Sequence, residues 1–218
     1  MKIGIIQGTS QKSKNPLLEK YIKEYIGAED QLYNFGIYQN SEVKLSYIQI
    51  SLAIALLINS QSVDFVITGC SSGQGMMLAC NTFPNIQYGY IPTPSDSFLF
   101  AQINNGNVAS FPLGLNWGWS GELNFKNTIH ALFEKKFGQG YPTKDATRKL
   151  YDTSLVKSLN HINKKSFLGL LSKYNHELVN PVINYDPVYN FIVKCGKNTA
   201  IINEMKLLKS QVVKKLNY

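Results

Sequence analysis

Residues Val63–Thr68 (VDFVIT) are apolar almost throughout and run straight into Gly69-Cys70-Ser71-Ser72-Gly73-Gln74-Gly75. A short, β-branched run bounded by glycine reads as a strand buried on both faces, the mark of a parallel sheet covered by helices. Parallel strands need long crossovers, so the flanking chain must supply helices. It does. Lys2–Gln7 (KIGIIQ), Leu32–Phe35, Ile86–Ile91 and Val108–Phe111 have strand character. Between them lie a helix capped by Asn15 with Pro16 in its first turn, a long apolar helix over 44–60, a helix after the glycine loop through Phe83, and one over Ser95–Asn104. A further helix rich in Trp, Leu and Phe follows over about 118–137. The alternation predicts an α/β fold, a Rossmann-like doubly wound sheet of about five parallel strands. The helix at 44–60 is apolar all round, so it must be largely buried.

From about residue 140 the strand signal stops. Residues 1–142 read as the α/β domain and residues 143–218 as a helical C-terminal extension interrupted by Pro181 and Pro187. In a chain of 218 residues with 44% hydrophobic and 17% charged residues, disorder is excluded. No apolar run approaches the ~18 residues of a membrane span, and the N-terminus lacks the apolar stretch of a secretory signal, so a cytoplasmic protein is expected.

The 22 basic and 14 acidic residues leave a net charge of +8. No lysine or arginine falls between Leu45 and Phe125, and Arg148 is the only arginine. Pairs such as Lys135-Lys136 and Lys164-Lys165 fit solvated helix faces better than a nucleic-acid patch, which usually carries arginine. Neither a nucleic-acid nor a membrane partner is expected. Cys70, Cys80 and Cys195 form no C-x-x-C pair and no metal-ligand spacing with the histidines, so no metal or other cofactor is expected.

In open α/β sheets the ligand crevice lies beyond the carboxyl ends of the strands. The loop at Gly69–Gly75 occupies such an end. Its glycines allow a tight turn, and the following helix N-terminus favours an anion or a developing oxyanion. Cys70 sits in the same field, which favours thiolate. Taken by itself, a cysteine here is equally consistent with a small residue filling a strand end.

The segment 64–83, DFVITGCSSGQGMMLACNTF, resembles the signature of the ribose-5-phosphate isomerase B / galactose-6-phosphate isomerase family. There a strand leads into Cys-Gly-Thr-Gly-x-Gly and then a helix ending near Ala-Asn, matched here by Cys70–Gly75 and Cys80-Asn81. The likeness extends to Tyr33–Gly36, to Tyr47 and to Asn104–Val108, and spans about residues 1–142. A longer subgroup carries Ser10-Gln11-Lys12-Ser13-Lys14-Asn15 and Gly138-Gln139-Gly140-Tyr141-Pro142.

The resemblance implies an aldose–ketose isomerase acting on a pentose or hexose phosphate through a cis-enediolate. Cys70 would be the base and Ser72 would help move a proton between the two oxygens. Ser71, Gly73, Gln74 and Gly75 would bind the enediolate. Tyr47, Asn81, Asn104, Ser10, Gln11 and Lys14 would complete the substrate site. A homodimer or homotetramer is implied as well. Three positions depart from the family. Gln7-Gly8-Thr9 replaces an Asp-His pair, Ile103 stands where the ring-opening histidine falls, and Gly140-Tyr141-Pro142 replaces a basic phosphate-gripping segment. Lys12, Lys14, Lys144 and Arg148 are candidate replacements, while His130 reads as packed core or interface. Other readings stay open: an isomerase or epimerase of an unphosphorylated or acyclic sugar, or a non-catalytic sugar-phosphate-binding or partner subunit.

Overall fold

The computed structural model describes residues 1–216. Five strands form one all-parallel sheet: β1 (Lys2–Ile5), β2 (Gln31–Asn34), β3 (Phe65–Cys70), β4 (Tyr88–Tyr90) and β5 (Val108–Pro112), in the order β2-β1-β3-β5-β4. The chain moves outward from β1 to β2, then returns to place β3 on the other side of β1. A topological switch point therefore opens between the carboxyl ends of β1 and β3. Register places Ile5 beside Ile67 and Cys70 beside Pro112.

One face of the sheet is covered by α1 (Asn15–Tyr25), α4 (Pro94–Leu99) and α5 (Gly121–Phe133), which close a core containing Ile3, Ile5, Leu18, Ile22, Phe65, Phe111 and Leu132. The other face carries α2 (Tyr47–Asn59) and α3 (Gln74–Asn81). α2 begins in a complete capping box between Ser46 and Gln49, which sets its start more sharply than its apolar pattern alone could. Every residue from Ile50 to Leu57 is buried.

A sheet can cover only one side of a helix, and the extension covers the other. After the exposed helix α6 (Ala146–Asn163), the chain forms α7 (Phe167–Leu171), α8 (His176–Ile183), α9 (Asp186–Cys195) and α10 (Thr199–Leu216). Their Leu171, Val182, Val188, Ile192 and Met205 join the same core as α2 and are fully or almost fully buried. Each such side chain contributes about 1.5–3 kcal/mol by leaving water. The backbone N–H groups of Lys197 and Asn198 both reach the Ser60 carbonyl, tying the extension to the C-terminal end of α2.

Three local expectations are corrected. Asn15 does not cap α1: it is buried, and its amide bonds Gln7 and Asn34, knitting the ends of β1 and β2 together. Pro181 does not interrupt the extension but lies inside α8, and Pro187 stands in the first turn of α9. The helix read over Ser95–Asn104 divides into α4 and a π-helical turn over Phe100–Asn104. Among the described residues no helix is long and apolar enough to cross a membrane.

Candidate active site

Four loops meet at the carboxyl end of the sheet. The first follows β1, where the Gly8 N–H reaches the Gly69 carbonyl at 2.7 Å and locks the loop against β3. Gln11, buried in that loop, donates from Nε2 to Ser71 Oγ at 2.8 Å. The second loop precedes α2 and is held by Thr9, whose hydroxyl donates to the Leu45 carbonyl and accepts the Leu45 N–H. The third is the cysteine loop. The fourth follows β5, where the N–H groups of Leu113 and Gly114 bond the carbonyls of Cys70 and Ser71, both at 2.9 Å.

Within the cysteine loop the backbone bends back on itself at Gly73, which adopts φ +78° and lies so close to Tyr90 that a Cβ would fall 2.6 Å from the ring. Only glycine meets both demands. The turn aims the Gly73 N–H at Cys70 Sγ, 3.2 Å away. Ser72 is exposed and its hydroxyl accepts the Gln74 N–H at 3.3 Å, at the head of α3. The first-turn N–H groups of a helix have no intrahelical acceptor, so those of Gly75 and Met76 add to the positive end of the α3 dipole beside the half-buried sulfur. Backbone N–H groups thus converge on the space beside the sulfur.

Tyr47 is 47% exposed in the first turn of α2, with its ring 3.6 Å from where a Gly75 Cβ would stand. Ser10 is exposed beside Gln11. Lys14 lies with its ammonium 4.5 Å from the centre of the Trp117 ring, a contact the sequence did not signal. Glu122 is next to them; its own backbone N–H and that of Gly118 hold its carboxyl below the usual carboxylate range, with Lys14 adding to the effect. Lys12 donates to the Ser41 carbonyl. Cys70 at the end of β3, and Ser71, Ser72, Gly73, Gln74, Gly75, Tyr47, Ser10, Gln11 and Lys14 on the adjoining loops and helical turns, thus lie at this one end of the sheet.

Asn81 and Asn104 do not face that loop within one chain. Asn81 ends α3, about 10 Å along the helix from Gln74. Asn104 lies before Val108, where β5 starts, and the far end of that strand, Pro112, the register partner of Cys70, is roughly 13 Å beyond Val108. The two instead line a groove of about 770 Å³ along the open β4 edge, together with Ile103, Arg148 and Asp152. Arg148 is paired there with Asp152 at 3.1 Å. His130 is exposed at the end of α5 with its ring edge-on to Tyr25 at 4.9 Å, so it is not a core residue. Cys80 is buried, and burial pushes its thiol up to about 12. Among the described residues no group of three His, Cys, Asp or Glu is placed to hold a metal ion.

A five-stranded parallel α/β sheet with a cysteine in a glycine loop at its switch point defines the class: a Rossmann-like α/β protein. Within that class the chain belongs to the ribose/galactose isomerase family, whose profile matches residues 10–147. The chain is similar over nearly its whole length to a 4-deoxy-L-threo-5-hexosulose-uronate ketol-isomerase solved with a tartrate. Identity is 33% and the TM-score 0.91, covering 96% of this chain and 100% of that one. The ribose-5-phosphate isomerase LacAB_rpiB of Vibrio parahaemolyticus gives 31% identity and a TM-score of 0.89, covering 95% and 99%. A type B ribose 5-phosphate isomerase from Trypanosoma cruzi shares the fold at 16% identity and a TM-score of 0.61, covering 73% of this chain and 98% of its own. A search of curated proteins finds no match.

Proposed function

We propose that the chain is an aldose–ketose isomerase working through a cis-enediolate, with Cys70 as the base. The observation that carries this reading is the sulfur held by the Gly73 N–H at the head of α3, on a loop at the sheet's switch point. The Cys70 thiolate removes the proton from the carbon next to the substrate carbonyl. The C–H electron pair forms the enediolate double bond, and the carbonyl π pair moves onto oxygen, where the loop N–H groups and the helix dipole stabilise it. Ser72 shuttles the hydroxyl proton between the two oxygens. The Cys70 thiol then returns its proton to the former carbonyl carbon, which gives the isomer with no net gain or loss of atoms. No metal enters this scheme.

The substrate is an anionic sugar. A sugar phosphate follows from the family resemblance, with Lys12 and Lys14, on the segment after β1, as the candidate cations for its phosphate. An open-chain sugar acid is favoured by one observation: Ile103 stands at the position of the ring-opening histidine and has no proton to transfer. The similarity to a uronate ketol-isomerase supports the same choice. A second copy of this chain is also proposed. Asn104 and Arg148 lie in the β4 groove away from Cys70, and α6 exposes Tyr151, Leu155, Leu159 and Ile162 along one stripe beside it. Sedimentation of the wild type and of Leu159→Glu tests this, a monomeric wild type counting against it.

The test of the reaction is proton NMR in D2O with pentose and hexose phosphates, their unphosphorylated forms and open-chain keto-uronates. Deuterium entering the carbon next to the carbonyl, and lost in Cys70→Ala, supports the reading and names the substrate class. No exchange with any of them, in folded protein, overturns it in favour of a binding role.

A further inference from the structure

We propose that Ser110 is a positioning residue for the cysteine loop; only its effect on catalysis rests on Cys70 being the base. Ser110 is completely buried in β5, where its register partners are Thr68 and Tyr90. Its hydroxyl donates to the Gly73 carbonyl at 3.3 Å. That carbonyl also accepts the Met77 N–H at 3.1 Å, the bond that starts α3. On its other side Gly73 presents its N–H to Cys70 Sγ at 3.2 Å.

A glycine at φ +78° has no side chain to hold it there, so its conformation is set by what grips its peptide groups. Ser110 supplies a grip from the rigid centre of the sheet, with a single residue between its hydroxyl and the sulfur. Without it the Gly73 carbonyl keeps only the helix bond, and the N–H that stabilises the thiolate is held less often in place. Thr68 provides an internal comparison. It lies in register with Ser110, and its buried hydroxyl has no hydrogen-bond partner among the described residues. Of these two neighbouring buried hydroxyls, Ser110 reaches the loop and Thr68 does not.

The experiment measures alkylation of the full-length chain by iodoacetamide at pH 7, read by mass spectrometry at the Cys70 peptide with the half-buried Cys195 as reference. Loss of one hydrogen bond's worth of positioning slows Cys70 about three- to tenfold in Ser110→Ala. Cys195 stays unchanged, and so does Cys70 in Thr68→Val. Equal rates in Ser110→Ala and wild type overturn the proposal, as does the same slowing in Thr68→Val or at Cys195. If Ser110→Ala does not fold, Ser110→Thr and Ser110→Val replace it, matched in shape and differing in the hydroxyl; equal rates in those two overturn it. With a sugar that shows exchange, kcat falls by the same factor while KM stays within twofold. Because alkylation needs no substrate, absent exchange beside a clear alkylation difference overturns the isomerase reading and leaves Ser110 standing.

Discussion

The side-chain amide of Gln49 donates from Nε2 to the Glu177 carbonyl at 3.0 Å, joining the first turn of α2 to α8. Glu177 stands four residues before Pro181, so its carbonyl is the one that a proline inside α8 leaves without an N–H. Gln49 thus fills a gap made by Pro181 while its Oε1 takes the Ser46 N–H at 2.8 Å. One side chain satisfies both ends of the joint.

Gln49→Ala is therefore expected to destabilise the fold by about 1–2 kcal/mol, through loss of the cap and of the interhelical bond. Pro181→Ala supplies the missing N–H to Glu177. In a double-mutant cycle it lessens the cost of Gln49→Ala, so the two changes are not additive. Urea unfolding at constant m measures both; strict additivity counts against the joint.

Ser72→Ala separates two steps of the proposed reaction. Deuterium exchange at carbon needs only the base and stays within about threefold of wild type. Formation of the isomer needs the proton moved between oxygens and falls about 100-fold. Parallel loss of exchange and product places Ser72 with the base instead.

Gly73→Ala puts a Cβ at a positive φ and 2.6 Å from the Tyr90 ring. The left-handed backbone alone costs about 1–2 kcal/mol, and the contact adds to it. A fall in Tm of at least about 4 °C is expected, which circular dichroism will record. An unchanged Tm contradicts the loop geometry.

Stability falls at alkaline pH. Burial pushes the Cys80 thiol from 9.0 up to about 12, and burial, with Tyr38 adding, pushes the Tyr185 phenol from 10.0 up to about 12. Above their ordinary values both groups lose their protons in the unfolded chain while the folded chain keeps them. The stabilisation is full below about pH 9 and is lost as pH rises toward about 12, each group contributing a slope of at most about 1.4 kcal/mol per unit. Cys80→Ala with Tyr185→Phe flattens this limb in urea titrations between pH 9 and 11. A limb as steep as that of wild type assigns it to other groups.

The parallel sheet and the cysteine loop are legible in the sequence because both write themselves locally: five short apolar or aromatic runs separated by helix-length segments, and a glycine cluster after the most apolar of them. The burial of α2 is legible too, since a helix apolar on every side has no polar face to offer water. What covers it is not, because Leu171, Val188, Ile192 and Met205 each read only as one apolar stripe of a separate helix. Asn15 has the composition of a cap but answers to Gln7 in the loop after β1 and to Asn34 on β2. Asn81 and Asn104 match family positions one by one, yet the strand and helix lengths between them and Cys70 decide their distance. Ser110 carries no local signal; only strand register brings it beneath Gly73.

The shared core of α2 and the extension has a consequence for synthesis. Residue 59 leaves the ribosome long before Met205 does. At about 5–20 residues per second the nascent chain carries an uncovered apolar helix for roughly 7–30 s. The side of α2 turned away from the sheet is covered by α8 and α9, which come late in the chain. In that interval the chain is a natural client for a chaperone that shields apolar surface, and codon choice or temperature in the final third of the message will weigh more on soluble yield than changes in the first.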